Sequence, residues 1–376
     1  MDAIAAASTV IPMLPSADQF SIDEMLADLR TLVEIESPSL DLDALERSAR
    51  QLASMIERHL GGSARLVDSV AGPHVHWRGG GEPKVLLLGH HDTVFPIGTL
   101  ERRPFSVVDG IATGPGVFDM LGGIVQALHG LARLPDLAGV ELLFSADEEV
   151  GSGASRRLIV ERARACGAVL VLEPSGAGGA LKTGRKGCGT FEVAVGGRAA
   201  HAGLEPESGV NALVEAARQV LAIDAIGDPS AGTTVTPTVA AAGTADNVVP
   251  AAATIRVDVR VESASEKDRV EGAMRALRPS HPEATVEVAG EIGRPAMPES
   301  TSATLFPLAR AVDPDIVGVA VGGGSDGNFT AAAGVPTLDG LGAVGGGAHA
   351  DHEFVEIATM PQRAALVAGI VAQLTG

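Results

Sequence analysis

The sequence predicts an α/β fold with a mainly parallel sheet, into which a smaller α+β domain is inserted. Three short apolar runs begin at Val85, Val140 and Ala168, and helical segments separate them. Such runs are typical of strands covered on both faces, and their alternation with helices indicates parallel βαβ units. The pattern then changes to alternating strands, and after residue 296 helical segments of the first kind return. A chain of 376 residues is long enough for two domains.

The larger predicted domain comprises residues 1–186 and 297–376, and the inserted domain comprises residues 187–296. In the larger domain, a capping box from Ser21 to Glu24 marks the start of the first helix. The inserted domain follows a β-α-β-β-α-β order. Its segment 255–261 alternates apolar with charged residues, which is typical of a half-exposed antiparallel strand. We expect this strand to be an exposed edge, able to pair with a second copy of the chain.

The composition excludes several classes of partner. Lys and Arg number 28 against 47 Asp and Glu, a formal net charge of -19, which argues against nucleic acid or an anionic membrane. No uninterrupted apolar run approaches about 20 residues, so we expect no membrane span. Residues 1–15 contain no Lys or Arg and are interpreted as a leader, not a signal peptide. Two cysteines make no disulfide framework, and the expected compartment is the cytoplasm.

Each of the three apolar runs ends in side chains that can bind a metal ion. The carboxyl ends of parallel strands meet at one edge of a sheet, so we expect these side chains to lie close together. A glycine-rich turn and the segment near the C-terminus add further candidates. The candidate ligands are His90, His91, Asp92, Asp119, Asp147, Glu148, Glu149, Glu173, His349 and His352. Mixed imidazole and carboxylate ligands suit zinc, manganese or cobalt, whereas calcium prefers oxygen alone.

Each candidate also has a simpler interpretation. A lone histidine at a strand end is usually a turn residue, and adjacent glutamates usually lie in a solvated loop. The glycine-rich loops could bind a nucleotide, but the segment from Gly179 lacks the Ser or Thr that must follow the P-loop lysine. Three successive strands that end in histidine or acidic residues at one edge favour the metal site over these alternatives.

Nine sequence blocks occur in the order of the di-zinc aminoacylase and carboxypeptidase family. They are "GHHDTVFP", "GPGVFDMLGG", "DEEVGSGASR", "EPSGAGGALKTGRKG", "AHAGLEPESGVNAL", "DNVVPAAATIRVDVR", "GRPAM", "GGGSDGNFTAAAG" and "GGGAHADHEFV". From about Ser21 onwards the chain resembles this family, and most closely its glutamate carboxypeptidase (carboxypeptidase G) branch. The resemblance implies that residues 1–186 and 297–376 form the catalytic domain. It also implies that residues 187–296 form a lid through which two chains make a homodimer.

The resemblance further implies a role for individual residues. Two zinc ions, replaceable by cobalt or manganese, would be bound by His90, Asp119, Glu149, Glu173 and His349, with Asp119 bridging. Asp92 would support the His90 imidazole, and Glu148 would be the general base. His201 would reach the active site of a partner subunit, and Asn247 and Arg294 would hold the carboxylate and carbonyl end of the substrate. Leu121 departs from the family pattern, in which lysine is frequent, and His91 and His352 are extra imidazoles.

The activity implied is hydrolysis of an amide or peptide bond next to a free C-terminal amino acid, through a metal-bridging water. A glutamate-type carboxypeptidase and an N-acyl amino-acid hydrolase are its two forms, acting on small peptides or N-acyl amino acids. One alternative is an N-carbamoyl amino-acid amidohydrolase. An alternative of another class is a catalytically silent relative that binds a metal or a peptide.

Overall fold

The computed structural model describes residues 15–376, so the predicted leader lies outside the described residues apart from Pro15. Before the lid, the helices are α1 (Ile22–Val33), α2 (Leu42–Leu60), α3 (Thr99–Arg102), α4 (Gly122–Leu131) and α5 (Arg156–Cys166). The strands there are β1 (Arg65–Val67), β2 (His74–Arg78), β3 (Val85–His90), β4 (Ser106–Val108), β5 (Ile111–Thr113), β6 (Val140–Ser145), β7 (Val169–Val171) and β8 (Leu181–Arg185).

The lid and the last part of the catalytic domain follow. The lid contains β9 (Gly187–Gly196), α6 (Ala212–Asp224), β10 (Thr234–Ala242), β11 (Ala252–Val261), α7 (Ala264–Arg275) and β12 (Thr285–Arg294). After it come α8 (Phe306–Val312), β13 (Gly318–Val321), α9 (Gly327–Ala332), β14 (Thr337–Leu338), β15 (Gly345–Gly346), β16 (Phe354–Glu356) and α10 (Met360–Thr375).

The main sheet of the catalytic domain has the strand order β1-β2-β6-β3-β7-β14. Strands β6, β3, β7 and β14 are parallel, and β2 joins β6 in the antiparallel sense. All residues of β3 and β6 are buried, as continuous apolar runs predict for strands covered on both faces. The prediction of a mainly parallel sheet is confirmed, and the sheet brings the carboxyl ends of β3, β6 and β7 to one edge.

The helices of the catalytic domain begin and pack as their sequences indicate. Ser21 caps α1, since its hydroxyl accepts a hydrogen bond from the backbone N–H of Glu24 at 3.3 Å. The stretch Ile357–Thr375 is apolar and long enough to cross a membrane, yet most of it is buried within the catalytic domain. There α10 packs on α4, and a Cβ at Gly130 would lie only 2.4 Å from the Ala364 carbonyl oxygen. Glycine at this position therefore allows the close approach of the two helices.

The lid forms a separate antiparallel sheet in the order β10-β11-β9-β12, and the predicted β-α-β-β-α-β sequence of elements is present. Its own core is built from Phe191, Val193, Val195, Ile255, Val257, Val259, Val270 and Met274. The expectation that segment 255–261 is an exposed edge is wrong, because β10 covers β11 on its outer side. The edge on that side of the sheet is β10, most of whose residues are exposed, and β12 is the opposite edge. The separate sheet and core support the boundaries at 187 and 296, which stay a prediction.

Candidate metal centre

The three strand ends meet as the sequence predicts. His90 is the last residue of β3, Glu148 and Glu149 lie in the turn after β6, and Glu173 follows β7. The His90 Nε2 atom lies 3.6 Å from Glu173 Oε1. One edge of the main sheet therefore presents an imidazole and several carboxylates to the same space.

Asp119 stands between two imidazoles. Its Oδ1 atom lies 3.4 Å from Nε2 of His90, and its Oδ2 atom lies 3.4 Å from Nε2 of His349. Glu149 Oε2 lies 3.0 Å from the same nitrogen of His349. The structure thus brings all the predicted ligands together, with Asp119 facing both halves of the cluster. We call His90, Asp119, Glu149, Glu173 and His349, with Glu148, the active-site cluster.

Several buried atoms of the active-site cluster lack a hydrogen-bond partner among residues 15–376. They are His90 Nε2, Asp119 Oδ1 and Glu149 Oε1. Buried polar atoms are nearly always paired, and the contacts of 3.4 and 3.6 Å around His90 exceed hydrogen-bond length. A cation shared by these atoms would satisfy all of them. Imidazole nitrogens with carboxylate oxygens fit zinc, cobalt or manganese, so the residues present fit the predicted metals.

The electrostatics of the cluster favour positive charge at the imidazoles. The carboxylates of Asp119 and Glu149, which accept from the His349 imidazole, raise the pKa of His349 to about 10, although burial opposes them. Burial by itself raises the pKa of Asp119, but the adjacent imidazoles of His349 and His90 outweigh it and hold this pKa below its usual value. The carboxylates therefore stabilise a cation between them, which is the charge that a metal ion would bring.

Asp92 supports two parts of the cluster. The His90 Nδ1–H donates to the Asp92 carbonyl oxygen at 2.9 Å, which leaves the Nε2 lone pair free for a metal. The Asp92 carboxylate accepts from the backbone N–H groups of Glu148 and Glu149, each at 3.2 Å, and from Ser39 Oγ at 2.7 Å. Asp92 thus fixes the turn after β6 as well as the imidazole after β3, which is more than the sequence predicted for it.

Glu148 and Glu149 leave their turn in different directions. Glu149 turns to His349, whereas the Glu148 carboxylate is bonded by the Arg294 guanidinium. Arg294 Nη2 also donates to the Glu148 carbonyl oxygen at 2.7 Å and to Ser152 Oγ at 3.1 Å. Burial raises the pKa of Glu148 to about 8 and outweighs the opposing charge of Arg294. Glu148 is nevertheless close enough to His90 and Glu173 to share an ion with them, so its distance alone does not distinguish a base from a ligand.

Glu173 is held by a buried ion pair that the sequence analysis did not find. Arg185 Nη2 lies 3.3 Å from Glu173 Oε2, the oxygen that does not face His90. The same guanidinium donates two hydrogen bonds to Asp339, at 2.7 and 2.8 Å. Arg185 was visible in the block from Glu173 to Gly187, but its partner lies 154 residues further along the chain. Only the fold brings the two together.

The turn that carries Asp119 is fixed by a second residue that the sequence analysis missed. The buried Glu353 carboxylate accepts hydrogen bonds from the backbone N–H groups of Gly116, Phe118 and Asp119, each at 2.9 Å. Burial raises the pKa of Glu353 to about 7 against these hydrogen bonds. Glu353 lies four residues after His349. One C-terminal block therefore supplies the predicted ligand His349 and also the carboxylate that supports the turn of the ligand Asp119.

The extra imidazoles have no place in the cluster. His91 is fully buried on the other side of β3, where its ring nitrogens bond Ser48 Oγ and the Pro73 carbonyl oxygen, both at 3.0 Å. Burial lowers the pKa of His91 to about 4. His352 is exposed. The expectation that both lie outside the ligand set agrees with this geometry.

Two predicted site residues lie apart from the cluster within one chain. His201 is exposed, and its Nδ1 atom accepts hydrogen bonds from the N–H groups of Gly203 and Leu204, both at 3.1 Å. The Asn247 carbonyl oxygen accepts from the Ala202 N–H at 2.9 Å, so both residues share one surface of the lid. Neither contacts a metal-ligating candidate within residues 15–376. Their predicted roles at the active site therefore require a second chain or a closure of the lid.

Comparisons with known proteins agree with this geometry. Residues 86–373 match the sequence model of Peptidase family M20/M25/M40. Carboxypeptidase G2 of Pseudomonas sp. (strain RS-16) is 35% identical over 381 residues, covering 95% of this chain and 91% of that relative.

Solved structures share the fold. Aminopeptidase PepT of Bacillus cereus ATCC 10987 has a TM-score of 0.74 at 19% identity, covering 95% of this chain and 99% of that chain. The M20 family metallo-carboxypeptidase Sso-CP2 of Sulfolobus solfataricus has a TM-score of 0.73 at 16% identity, covering 94% of this chain and 99% of that chain. The predicted α/β catalytic domain with an added lid is thereby confirmed. By the extent of these matches, the chain belongs to Peptidase family M20/M25/M40 and is a metal-dependent hydrolase of that family.

Proposed function

We propose that this chain is a dinuclear zinc hydrolase that cleaves the amide bond next to a free α-carboxylate. The observation that carries the proposal is the contact between Arg294 and Glu148 at the edge of the active-site cluster. A planar guanidinium is suited to a carboxylate, and a buried glutamate is suited to accept a proton. The similarity to carboxypeptidase G2 supports glutamate at the C-terminal position of the substrate, and an N-acyl amino acid is a substrate of the same chemistry.

The five ligands offer a place for two ions. Asp119 directs one carboxylate oxygen to each imidazole, so His90 and Glu173 would hold one ion, and His349 and Glu149 the other. When bound, such a pair of ions polarises the scissile carbonyl and acidifies a water molecule. Zinc is our choice among the metals that fit, because tetrahedral imidazole and carboxylate sites are its usual environment.

The residues of the chain perform the remaining steps. Burial raises the pKa of Glu148 to about 8, so its ionised form is a stronger base than an ordinary carboxylate; it would take a proton from water and give it to the leaving amine. Without substrate, the guanidinium of Arg294 is engaged by this same carboxylate. The α-carboxylate of a substrate would compete with Glu148 for this guanidinium. Its binding there would both anchor the substrate and release the Glu148 carboxylate.

A panel of matched substrates tests the proposal. Metal-loaded protein is assayed on N-acyl glutamate, on N-acyl amino acids with other side chains, and on N-acyl glutamate whose α-carboxylate is a carboxamide. We expect kcat/KM for the carboxamide to be at least about 10²-fold lower, since a neutral carboxamide cannot replace the Glu148 carboxylate at the Arg294 guanidinium. Equal rates on the acid and the carboxamide would contradict the role of Arg294, and no turnover of any amide would favour the silent relative.

We further propose a homodimer through the lid, in which His201 of one chain reaches the site of the other. The exposure of His201 and Asn247 and the open edge of β10 support this arrangement. Inactive Glu148→Gln protein mixed with inactive His201→Ala protein should then regain part of the activity, because one hybrid site carries both intact residues. No recovery after proven subunit exchange would contradict it.

The cytoplasm is the compartment that we propose. Cys166 and Cys188 are both unpaired, as is usual where thiols are kept reduced. Cell fractionation of the source organism tests this directly, and recovery of the protein in the secreted fraction would contradict it.

A further inference from the structure

The chain passes between the catalytic domain and the lid twice, and the two crossings run side by side. Arg185 and Met297 exchange two backbone hydrogen bonds of 2.9 Å. The crossings are also tightly packed, since a Cβ at Gly187 would lie 2.8 Å from the Arg294 carbonyl oxygen. A group that holds both crossings therefore holds the lid against the catalytic domain.

One side chain bonds both crossings. Asn328 at the start of α9 is fully buried, and its Nδ2 atom donates to the carbonyl oxygens of Lys186 at 3.1 Å and Pro295 at 2.7 Å. Its Oδ1 atom accepts from the Ser325 N–H at 2.8 Å. Two acceptors on one side and a donor on the other fix the orientation of the amide.

The bonded residues are neighbours of the two arginines of the site. Lys186 follows Arg185, which contacts Glu173, and Pro295 follows Arg294, which contacts Glu148. The loop before Asn328 adds another contact from the catalytic side, because the buried Asp326 carboxylate lies 3.8 Å from Arg294 Nη2. Arg185 Nη1 also donates to the carbonyl oxygens of Gly323 at 3.1 Å and Gly324 at 3.3 Å. Residues 323–328 are thus connected to both crossings and to both arginines.

We infer that Asn328 is a positioning residue that fixes the lid crossings and thereby places the Arg294 guanidinium beside Glu148. The inference rests on the proposed function, because it takes Arg294 as the group that binds the substrate carboxylate. The metal ligands lie at the ends of β3, β6 and β7 and on loops of the catalytic domain, and none of them bonds Asn328. Arg185, which contacts the ligand Glu173, keeps its own two hydrogen bonds to Asp339. Loss of the amide displaces Arg294 and leaves the ligands in place.

The experiment compares two buried amides whose nitrogen atoms each donate two hydrogen bonds. Gln219 in α6 is also buried, and its Nε2 atom donates to Glu215 Oε1 at 2.8 Å and to the Arg278 carbonyl oxygen at 2.9 Å, far from the crossings. Asn328→Leu and Gln219→Met each remove the amide with little change in volume. Asn328→Asp is a second variant, which keeps the shape and removes both donors. Each protein is assayed for metal content, kcat, KM, and the preference for the α-carboxylate over the α-carboxamide.

The inference requires a specific set of results. Both Asn328 variants should keep the wild-type metal content and raise KM for the carboxylate substrate by about 10- to 100-fold, since misplacement by about 1 Å has effects of this size. Their preference for the carboxylate over the carboxamide should fall by a similar factor, while Gln219→Met keeps the wild-type preference.

Other results would overturn it. An unchanged preference in Asn328→Leu, or an equal loss in Gln219→Met, would overturn the positioning role. Loss of folded protein in both Asn328 variants would assign the amide to folding alone and would also overturn it. A wild-type enzyme with no preference for the carboxylate would instead refute the proposed function, so the two failures are distinguishable.

Discussion

Within residues 15–376, groups of three or more histidine and acidic side chains that could share a metal ion form two clusters, and only the active-site cluster leaves such ligand atoms without a hydrogen-bond partner. The second cluster, which we call the helix triad, consists of Asp28 on α1, His59 on α2 and His129 on α4. Both histidines donate through Nε2 to Asp28 Oδ2, at 2.6 and 2.9 Å. Arg58 donates to the other carboxylate oxygen at 2.7 Å. The carboxylate of the helix triad is therefore satisfied by the protein alone.

The active-site cluster differs in spacing and in charge. Its imidazoles and carboxylates lie 3.0 to 3.6 Å apart, and three of their buried atoms have no hydrogen-bond partner among the described residues. It also gathers several carboxylates around two imidazoles, whereas the helix triad has one carboxylate facing three bases. Residue types alone do not define a metal site. The difference between the two clusters teaches that a metal site is marked by buried ligand atoms without hydrogen-bond partners and by an excess of negative charge.

The largest expected effect separates the two clusters by their metal dependence. His349→Ala should lose at least one bound ion, and activity should fall on the order of 10³-fold or more, because metal-ion catalysis contributes several kcal/mol. His129→Gln should keep both the ions and the activity. Elemental analysis and turnover after metal loading check both variants, and a chelator should abolish wild-type activity.

Two results would break the comparison. If His129→Gln released an ion, the helix triad would be a metal site despite its satisfied carboxylate. If the wild-type protein contained no transition metal and kept its activity in the presence of a chelator, the active-site cluster would not be a metal site.

The next effect concerns chemistry within the active-site cluster. Glu148→Gln keeps the shape of the side chain and removes the base, so kcat should fall by about 10²- to 10⁴-fold. The variant should still bind the wild-type amount of metal, which elemental analysis checks. Loss of an ion would show that Glu148 is a metal ligand, as its distance to His90 and Glu173 permits. In that case Glu149 would be the candidate for the general base.

Asp92 gives a smaller effect, because its carboxylate holds the backbone of the turn that carries Glu149 and lies 3.4 Å from His90 Nδ1, while the His90 hydrogen bond itself goes to the Asp92 carbonyl oxygen. Asp92→Asn should weaken metal affinity by about 10- to 100-fold, the usual effect of changing a residue that orients a ligand. Activity should return at high metal concentration, since Glu148 remains. Titration of the variant with metal, followed by activity, measures both the affinity and the recovery. Full activity at limiting metal would show that the backbone holds the turn without the Asp92 carboxylate.

The sequence predicted the elements that carry ligands better than the residues that support them. His90, Glu149 and Glu173 follow apolar runs whose parallel pairing is a local inference, so their convergence was predictable. Arg185 contacts Glu173 within its own block but is held by Asp339, 154 residues away, and Glu353 supports the Asp119 turn from 235 residues beyond Phe118. Nothing in the segments of Arg185 and Glu353 marks these distant partners. Supporting contacts depend on tertiary structure, which periodicity does not encode.

The lid shows the same limit. The alternation of β11 correctly predicted a strand with one buried face, but alternation does not reveal whether a neighbour lies beside it. The neighbour is β10, whose sequence contains Pro237 and a run of alanines and has a weak strand pattern. An interior strand was therefore taken for an edge because the strand that covers it was not recognised.

The smallest expected effect on activity belongs to the helix triad, where the change appears in stability. Burial opposes ionisation of Asp28, but the hydrogen bonds from His129, His59 and Arg58 outweigh it and lower the pKa of Asp28 far below its ordinary value of 3.8. A carboxyl whose pKa is depressed by folding stabilises the protein above its unfolded pKa, and this contribution is lost as the pH falls towards the folded value.

Asp28→Asn should therefore leave metal content and turnover unchanged while lowering the free energy of unfolding at pH 7 by about 1.5 to 3 kcal/mol, the range for hydrogen bonds to a charged group. The difference from wild type should narrow below about pH 4, where the unfolded carboxyl takes up a proton. Urea denaturation at pH 7, 5 and 3.5 measures this difference in the free energy of unfolding.

Glu34→Gln is the control, because Glu34 pairs with Arg30 at the surface next to the same helix, at 3.5 Å. This substitution should lower the free energy of unfolding by less than about 0.5 kcal/mol. A difference that does not depend on pH would mean that the packing of Asp28, and not its charge, stabilises the triad. A loss of metal in Asp28→Asn would remove the distinction between the two clusters.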